Sequence, residues 1–369
     1  MRILIAAGGS GGHIFPAVAL AEELKFNDPS VEILFVGSDK ALDKRIFVKE
    51  GYEYRLLSSN KLPYKTSFKT LLFSIRLSID ILKSFIILAK YSPDAVVGFG
   101  GYVSAPIIVA AYILGIPRIL HEQNAVPGRA NAMLFKFVSS IAVSFEETKK
   151  YLGSYADKAV FTGNPIRASV LKDDKSGSMK KMGLDPQKFT ILVIGGSQGA
   201  HNLNKAFIKS LSMMDEKIRR SLQIIHITGV TDYGWASDAY KELSVEHRVH
   251  SFVDRIEEVY SASDLIVTRS GASAIFEIAY FGRPMILIPY PFALSHQSEN
   301  ARIFSARGAA VKIDEKDLSP ILMKERVEGL LKDRNKLSEI GESARRMSVP
   351  DSSRSLARAV LGIAKEGSK

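Results

Sequence analysis

RILIAAGGSGGH, Arg2 to His13, returns later in the chain as TILVIGGSQGAH, Thr190 to His201. Each copy opens with a β-branched apolar run suited to a buried strand, then passes through Gly-Gly-Ser, one spacer and a further glycine into a helical stretch. A pattern written twice argues for two similar α/β domains in succession. Length agrees, since 369 residues is more than one core usually reaches. Between the copies, Leu171 to Lys188 loses its apolar periodicity and fills with charge, Ser, Gly and Pro, as a linker or surface excursion does.

Further strands flank the first copy at Val31 to Val36, Asp94 to Val97, Arg118 to Leu120, Ile141 to Val143 and Ala159 to Phe161. Behind them lie the glycine turn GFGGYVSAP (Gly98 to Pro106), HEQN (His121 to Asn124), a loop with Glu146 and Glu147, and TGNPIR (Thr162 to Arg167). The second copy is followed by strands at Gln223 to Ile227, Arg248 to Val253, Leu265 to Val267 and Met285 to Ile288. Helical stretches fill the gaps; Pro16 to Lys25 reads as a helix with Pro16 in its first turn, and Ser353 to Ala364 as a final amphipathic one. Such alternation builds parallel sheets whose ligands bind beyond the strand C-termini. GGSGG invites a dinucleotide reading, but Ile14 stands where that fingerprint needs its third small residue for close helix packing.

DLIVTRSGASAIFE, Asp264 to Glu277, carries the most chemistry. A buried strand runs into Ser270-Gly271-Ala272, where a helix begins with unshielded N–H groups and the positive end of its dipole, a setting that favours a diphosphate. Ser270, Ser273 and Glu277 fall at i, i+3 and i+7, which puts a carboxylate two turns behind the phosphates, at the reach of a ribose diol. A capped surface helix with Glu277 in water is the alternative.

Composition is that of an ordinary globular chain, 46% hydrophobic and 24% charged. With no cysteine, disulfides, thiolate metal sites and a cysteine nucleophile are excluded, as fits a reducing compartment. Ile3 to Ala7 is too short an apolar run for a signal peptide, so the expected location is the cytoplasm. A net charge of +11 implies an anionic partner. No zinc-finger spacing, RNA-recognition signature or dense arginine run favours nucleic acid, which leaves phosphorylated substrates and anionic membranes. For the membrane, Lys65 to Lys90 is the relevant stretch. Lys69, Arg76, Lys83 and Lys90 recur every seven residues as a basic stripe in an otherwise apolar helix. Arg76, Asp80 and Lys83 argue against spanning, each costing roughly 2.5 to 3.5 kcal/mol at a bilayer centre. The helix would pack one edge inward and turn another, around Phe73, Leu77 and Leu88, to lipid; a core helix with snorkelling cations is the alternative.

Taken together, GGSGGHIFP, GFGGYVSAP, LHEQN, GNPIR, GGSQGA, TRSGASAIFE and HQSENA resemble the MurG family of glycosyltransferase family 28, across nearly the whole chain. Ser10 stands where that family often has Thr, and Ala105 where it often has Gly. The resemblance implies the GT-B fold, two Rossmann-like parallel-sheet domains facing each other across a cleft: an acceptor domain over residues 1–165, joined by a C-terminal helix over 350–369, and a donor domain over 166–349. It implies UDP-N-acetylglucosamine as donor, undecaprenyl-diphosphate muramoyl-pentapeptide as acceptor, and a peripheral place on the cytoplasmic face of the cell membrane. Carried over by similarity, Ser10, Gly11 and Gly12 line the cleft and Asn124 faces the donor sugar. Arg167 and Ser197 lie near the donor phosphates, the main chain at Val253 reads the uracil, and Gln297 holds sugar hydroxyls. Ala272, Ser273, Ala274, Ile275, Phe276 and Glu277 wrap phosphate and ribose behind Ser270 and Gly271, and Gly100, Gly101, Tyr102 and Ser104 take the acceptor. Taken singly, Asn124 could cap a turn, Arg167 form a surface ion pair and Gln297 lie on an exposed helix face.

The implied reaction is a single displacement with inversion, needing a base beside the acceptor and charge stabilisation at the leaving group. His13 is the first candidate base, kept neutral by the helix behind it, and Glu122 the second; His13 could instead bind the acceptor diphosphate or cap the turn. No Asp-x-Asp triplet occurs, so the expectation is that no metal or other cofactor is needed, the helix N-terminus at Ser270 to Ala272 and Arg167 meeting the diphosphate. A related enzyme acting on diacylglycerol and a non-catalytic nucleotide-sugar or nucleic-acid binder are the rival readings. The glycine turn at Gly98 to Ser104 favours a polyprenyl-diphosphate acceptor.

Overall fold

The structure, a computed structural model, describes residues 1–58, 68–195, 200–291 and 296–366, with 68–73 as backbone only. It divides into two compact units, Met1–Ala168 with Val349–Lys369, and Ser169–Ser348.

In the first unit the strands are β1 (Arg2–Ala6), β2 (Glu32–Ser38), β3 (Glu53–Leu57), β4 (Ala95–Gly98), β5 (Arg118–Glu122), β6 (Ser140–Val143) and β7 (Ala159–Phe161). They form one parallel sheet in the order β3-β2-β1-β4-β5-β6-β7. Its helices include α1 (Gly11–Asn27), α2 (Ala41–Lys49), α3 (Phe68–Tyr91), α4 (Gly101–Ile113) and α5 (Arg129–Leu134). Side chains alternate between the faces, so Ile3, Ile5 and Val97 pack under α1 and the final helix Ser352–Glu366, while Leu4, Ala6 and Val96 pack under α4. Both faces are therefore apolar, which is why these strands read as unbroken hydrophobic runs.

The second unit holds β8 (Phe189–Ile194), β9 (Leu222–Ile227), β10 (Glu246–His250), β11 (Leu265–Thr268), β12 (Met285–Leu287) and β13 (Val311–Lys312), parallel in the order β10-β9-β8-β11-β12-β13. Strand order reverses between β1 and β4 in one sheet and between β8 and β11 in the other. Loops leaving neighbouring strands at such a point diverge and leave a crevice at the strand C-termini. The first glycine motif quoted at the outset leaves β1 at one of these two points; of the second, residues 196–199 lie outside the described residues.

Several elements differ from the sequence reading. Helix α1 starts at Gly11, five residues before Pro16, so Pro16 lies in its second turn rather than its first. Pro106 holds the same sixth position in α4. Strand β3 went unread because EYRLL alternates polar residues along an edge that is only partly covered, and β13 is two residues long. Strand β10 ends at His250, which leaves Val253 in the following loop. Leu171 to Lys188 is no free linker: Asp174 caps a helix at Lys175–Lys181, Met179 is buried, and Lys175 pairs with Asp264. On α3, Leu88 is 1% exposed and belongs to the core, so it cannot meet lipid. Leu77 is half-buried, and the side chains of Lys69 and Phe73 lie outside the described residues.

Candidate active site

The first half-site is built by the loops that leave β1 and β4. Phe99 N donates to Ala6 O at 2.8 Å and ties the loops together. Gly100 and Gly101 have φ of 90° and 74°, a conformation that favours glycine. A Cβ on Gly101 would stand 2.9 Å from Gly8 O and 3.4 Å from His13 Nδ1, so the N-termini of α1 and α4 meet at backbone distance. Two sets of N–H donors and two positive dipole ends converge there, which suits a multiply charged anion. Ser10 is the N-cap of α1, and Gly11 and Gly12 begin its first turn. A Cβ on Gly11 would lie 2.9 Å from the Phe15 ring, and the Arg167 guanidinium sits 4.2 Å from that ring's centroid. Arg167 is thus held beside α1 by a cation–π contact.

His13 Nδ1 lies 3.2 Å from Gly8 O. A carbonyl only accepts, so Nδ1 carries the proton and Nε2 is the basic nitrogen. Burial lowers the imidazole pKa from its ordinary value of 6.5, against the opposing pull of the Gly8 hydrogen bond and the Glu122 and Asp43 carboxylates. The ring is neutral at neutral pH and has a lone pair to offer.

Glu122 has a different character. One carboxylate oxygen accepts from Asn124 N at 2.9 Å and Asn124 Nδ2 at 3.2 Å, the other from Gly128 N at 3.0 Å and Asn131 Nδ2 at 2.7 Å. A buried carboxylate with four donors is a clamp for the 124–131 loop, and its lone pairs are already engaged. Its neighbour His121 is pushed down to about 4 by burial; its Nε2 donates to Gly163 O at 3.2 Å while Nδ1 accepts from Gln123 Nε2 at 3.1 Å. Ser104 is turned inward too, its hydroxyl donating to Gly100 O at 2.8 Å and Ala6 O at 3.0 Å. Tyr102 is half-buried one residue into α4, where its ring can be reached from outside.

Four supporting residues escaped the sequence reading. Asp43 of α2 accepts from Gly9 N at 2.9 Å, Ser38 N at 2.8 Å and Ser38 Oγ at 2.6 Å, and Lys40 Nζ donates to Gly9 O at 2.9 Å. Together they lock the first glycine loop. Asn131 carries the Glu122 clamp onto α5, and its Oδ1, buried and without a hydrogen-bond partner among the described residues, would stand 3.0 Å from a Cβ on Gly100. Arg269, buried behind β11, donates to Ile288 O at 3.1 Å and pairs with Glu315. None of the four follows a local spacing rule; crossovers between elements bring them in.

The second half-site follows β11. Gly271 is the N-cap of the helix Ala272–Tyr280, so Ser270 stands before the helix instead of on its face. Its hydroxyl, fully buried, donates to Gln297 O at 2.8 Å, and Asn300 Nδ2 donates to Ser270 O at 3.1 Å. Ser270 therefore fastens the helix His296–Ala306 to the loop and leaves Gly271, Ala272 and Ser273 at the N-terminus of the helix. Ser273 and Ala274 are half-exposed, whereas Ile275 and Phe276 face the core and offer only backbone. Glu277 is 7% exposed on the second turn. Gln297 Oε1 accepts from Tyr290 N at 2.9 Å, Val253 is half-buried in the loop after β10, and Ser197 lies outside the described residues.

The glycosyltransferase family 28 N-terminal domain matches residues 3–143 and the family's C-terminal domain residues 190–356. A UDP-N-acetylglucosamine–N-acetylmuramyl-(pentapeptide) pyrophosphoryl-undecaprenol N-acetylglucosamine transferase from Thermodesulfovibrio yellowstonii is 39% identical over 338 residues, 90% of each chain. The Bacillus subtilis protein of the same name is 38% identical over 354 residues, 95% of this chain and 96% of its own. In three dimensions, MurG from Acinetobacter baumannii superposes with a TM-score of 0.75 at 24% identity, covering 98% of this chain and 99% of its own. With both halves matched and such relatives running along nearly its whole length, the chain belongs to the MurG family of glycosyltransferase family 28.

Proposed function

We propose that the protein transfers N-acetylglucosamine from UDP-N-acetylglucosamine to the 4-hydroxyl of a muramoyl-pentapeptide carried on undecaprenyl diphosphate, with inversion at the anomeric carbon. The observation that carries this reading is family membership along almost the whole chain, in relatives whose names state that donor and acceptor. The helix N-terminus at Gly271 to Ser273 receives the donor diphosphate, and Glu277 behind it accepts hydrogen bonds from the ribose. The paired N-termini of α1 and α4 receive the acceptor diphosphate. His13 Nε2 takes the proton of the 4-hydroxyl as its oxygen attacks the anomeric carbon; the bond to UDP breaks, and backbone N–H groups with Arg167 stabilise the charge on the leaving oxygen. One displacement needs no covalent sugar–enzyme intermediate.

The acceptor's lipid requires a membrane contact, and α3 offers one. Ile75, Ile79, Leu82 and Ile86 are 50%, 46%, 63% and 57% exposed and recur at helical spacing, with Arg76, Lys83 and Lys90 on the same helix. No described helix is long and apolar enough to cross a membrane. An amphipathic helix with basic residues beside an apolar stripe lies in the headgroup region of an anionic leaflet, so α3 sets the protein peripherally on the cytoplasmic face.

Purified protein, labelled UDP-N-acetylglucosamine and an acceptor bearing the muramoyl-pentapeptide diphosphate on a short lipid should yield the disaccharide. Transfer to diacylglycerol in its place, or donor binding without any product, would overturn the reading.

A further inference from the structure

A cavity of about 510 Å³ opens in the first unit between α3, α4 and α5, in the size range of small-molecule sites. Its walls are mainly apolar: Ile81 from α3, Tyr102, Ala105 and Val109 from α4, Met133 from α5, and Phe137 beyond it. Nothing in the transfer chemistry uses it. We infer that this cavity holds the first isoprene units of the polyprenyl diphosphate acceptor. The inference rests on the acceptor reading above and extends it from the charged head of the substrate to its hydrocarbon.

Three observations carry it. Tyr102 stands one residue inside α4, whose N-terminus beside Gly8 and His13 forms the anion cradle, and from Gly101 to Val109 the helix rises roughly 12 Å at about 1.5 Å per residue. A prenyl diphosphate joins its anionic head to hydrocarbon through a single bond, so it needs a cradle and an apolar wall that adjoin in this way. The wall also contains one buried carboxylate, Asp80, 4% exposed, whose Oδ2 accepts from Ser58 Oγ. Its charge is balanced by Lys136 in the same lining, so the cavity carries no net charge to select an ionic headgroup over neutral hydrocarbon. Finally, Met133 at the rim is 61% exposed, and α3, which lines the cavity with Leu77 and Ile81, carries the apolar stripe on its outer side. A chain too long for the cavity can leave along that helix to the bilayer.

The test compares two acceptors with the same muramoyl-pentapeptide diphosphate head, one on several isoprene units and one on a short alkyl group. Ala105→Leu and Val109→Phe fill the cavity and should raise KM for the prenyl acceptor about tenfold or more, with KM for UDP-N-acetylglucosamine at the parent value. The alkyl acceptor, which cannot reach the cavity, should keep its KM. Equal losses on both acceptors, or none on either, overturn the inference. Because a filled cavity can unsettle the fold, the parent protein is also labelled with a photoreactive polyprenyl phosphate. Adducts at residues 102–109 and 130–137 support the cavity; adducts confined to the outer stripe of α3, or displaced by phosphatidylglycerol vesicles, overturn it. If the parent transfers sugar to neither acceptor yet is labelled in the cavity, the activity proposed above fails while the prenyl site stands.

Discussion

At His13 the chemistry turns on which nitrogen is free. Because Nδ1 is committed to Gly8 O, Nε2 is the nitrogen left to act as the proposed base, and His13→Ala should lower kcat by about 10² to 10⁴ while donor KM stays near the parent value. Burial lowers the pKa of the ring, so the acid limb of kcat should fall below pH 6.5, the ordinary histidine value; a limb above it removes His13 from the role. Glu122 tests the alternative. Glu122→Gln sets an amide NH₂ against the donors of the 124–131 loop and should cost about 1 to 3 kcal/mol of stability for each donor left unpaired, read from urea unfolding, with the pH dependence of kcat unchanged. Loss of the acid limb in that variant would instead make Glu122 the base. In the second unit, Glu277→Ala would remove the proposed charge-assisted ribose contacts, worth roughly 1.5 to 3 kcal/mol each, so donor KM should rise at least tenfold in a folded protein. Unchanged donor kinetics would exclude the ribose contact. The place of Glu277 on its helix was legible from its offset to a glycine-marked helix start, whereas His13, read ahead of the helix, stands in the first turn of α1. Asp43 and Asn131 were not legible, since their partners arrive through the β2–α2 and β5–α5 connections. Ser270 was read onto the wrong element because the N-cap falls at Gly271, one residue later than the pattern allowed.

The alternation of strand and helix was readable wherever a strand is covered on both faces and at the margins β7 and β10, and it failed at the margins β3 and β13, which have too little apolar surface to show a period. Helix α3 shows a subtler limit. Its seven-residue basic repeat was plain in the sequence, but which apolar residues face outward depends on packing against α4, and Leu88 went inward while Ile75, Ile79, Leu82 and Ile86 stayed out. Each basic residue near an anionic surface contributes about 1 kcal/mol. Arg76→Gln with Lys83→Gln should therefore weaken binding to phosphatidylglycerol vesicles about thirtyfold at low salt, and a soluble acceptor analogue should still be glycosylated. Vesicle affinity equal to the parent's would remove the membrane role from α3.

Across the whole molecule, diphosphate charge is assigned to helix N-termini and Arg167, so turnover should survive rigorous chelation; activity lost on chelation and restored by a divalent ion would contradict that assignment. Acid sensitivity follows from two interior histidines, one per unit. Burial pushes His121 down to about 4 and His226 down to about 3, so both are neutral in the folded protein, whereas the unfolded chain takes up a proton near pH 6.5. Their contribution is complete above pH 6.5 and declines as pH falls toward 4 and then 3, by about 1.4 kcal/mol per pH unit for each. The urea midpoint should drop between pH 7 and pH 5, and the imidazole resonances of both residues should not titrate above pH 5. Titration of either near 6.5 would show that its burial is not maintained.

One feature of connectivity has a consequence for how the chain is made. The second unit, Ser169–Ser348, is one continuous segment, whereas the first is interrupted and resumes at Val349. Its returning segment is stitched to the departing one by Ser352 Oγ donating to Asn164 O at 2.8 Å and Ser353 Oγ donating to Ile166 O at 3.2 Å. Leu356, Val360 and Ala364 then fill the face of the first sheet beneath α1. During translation the segment born in the middle can close its core as soon as it leaves the ribosome. The segment born first must wait, with Ile3, Ile5 and Val97 covered by α1 alone, until the helix Ser352–Glu366 has been made. A released chain truncated at residue 350 should therefore display a protease-resistant second unit beside a protease-sensitive first one, the reverse of their order of synthesis.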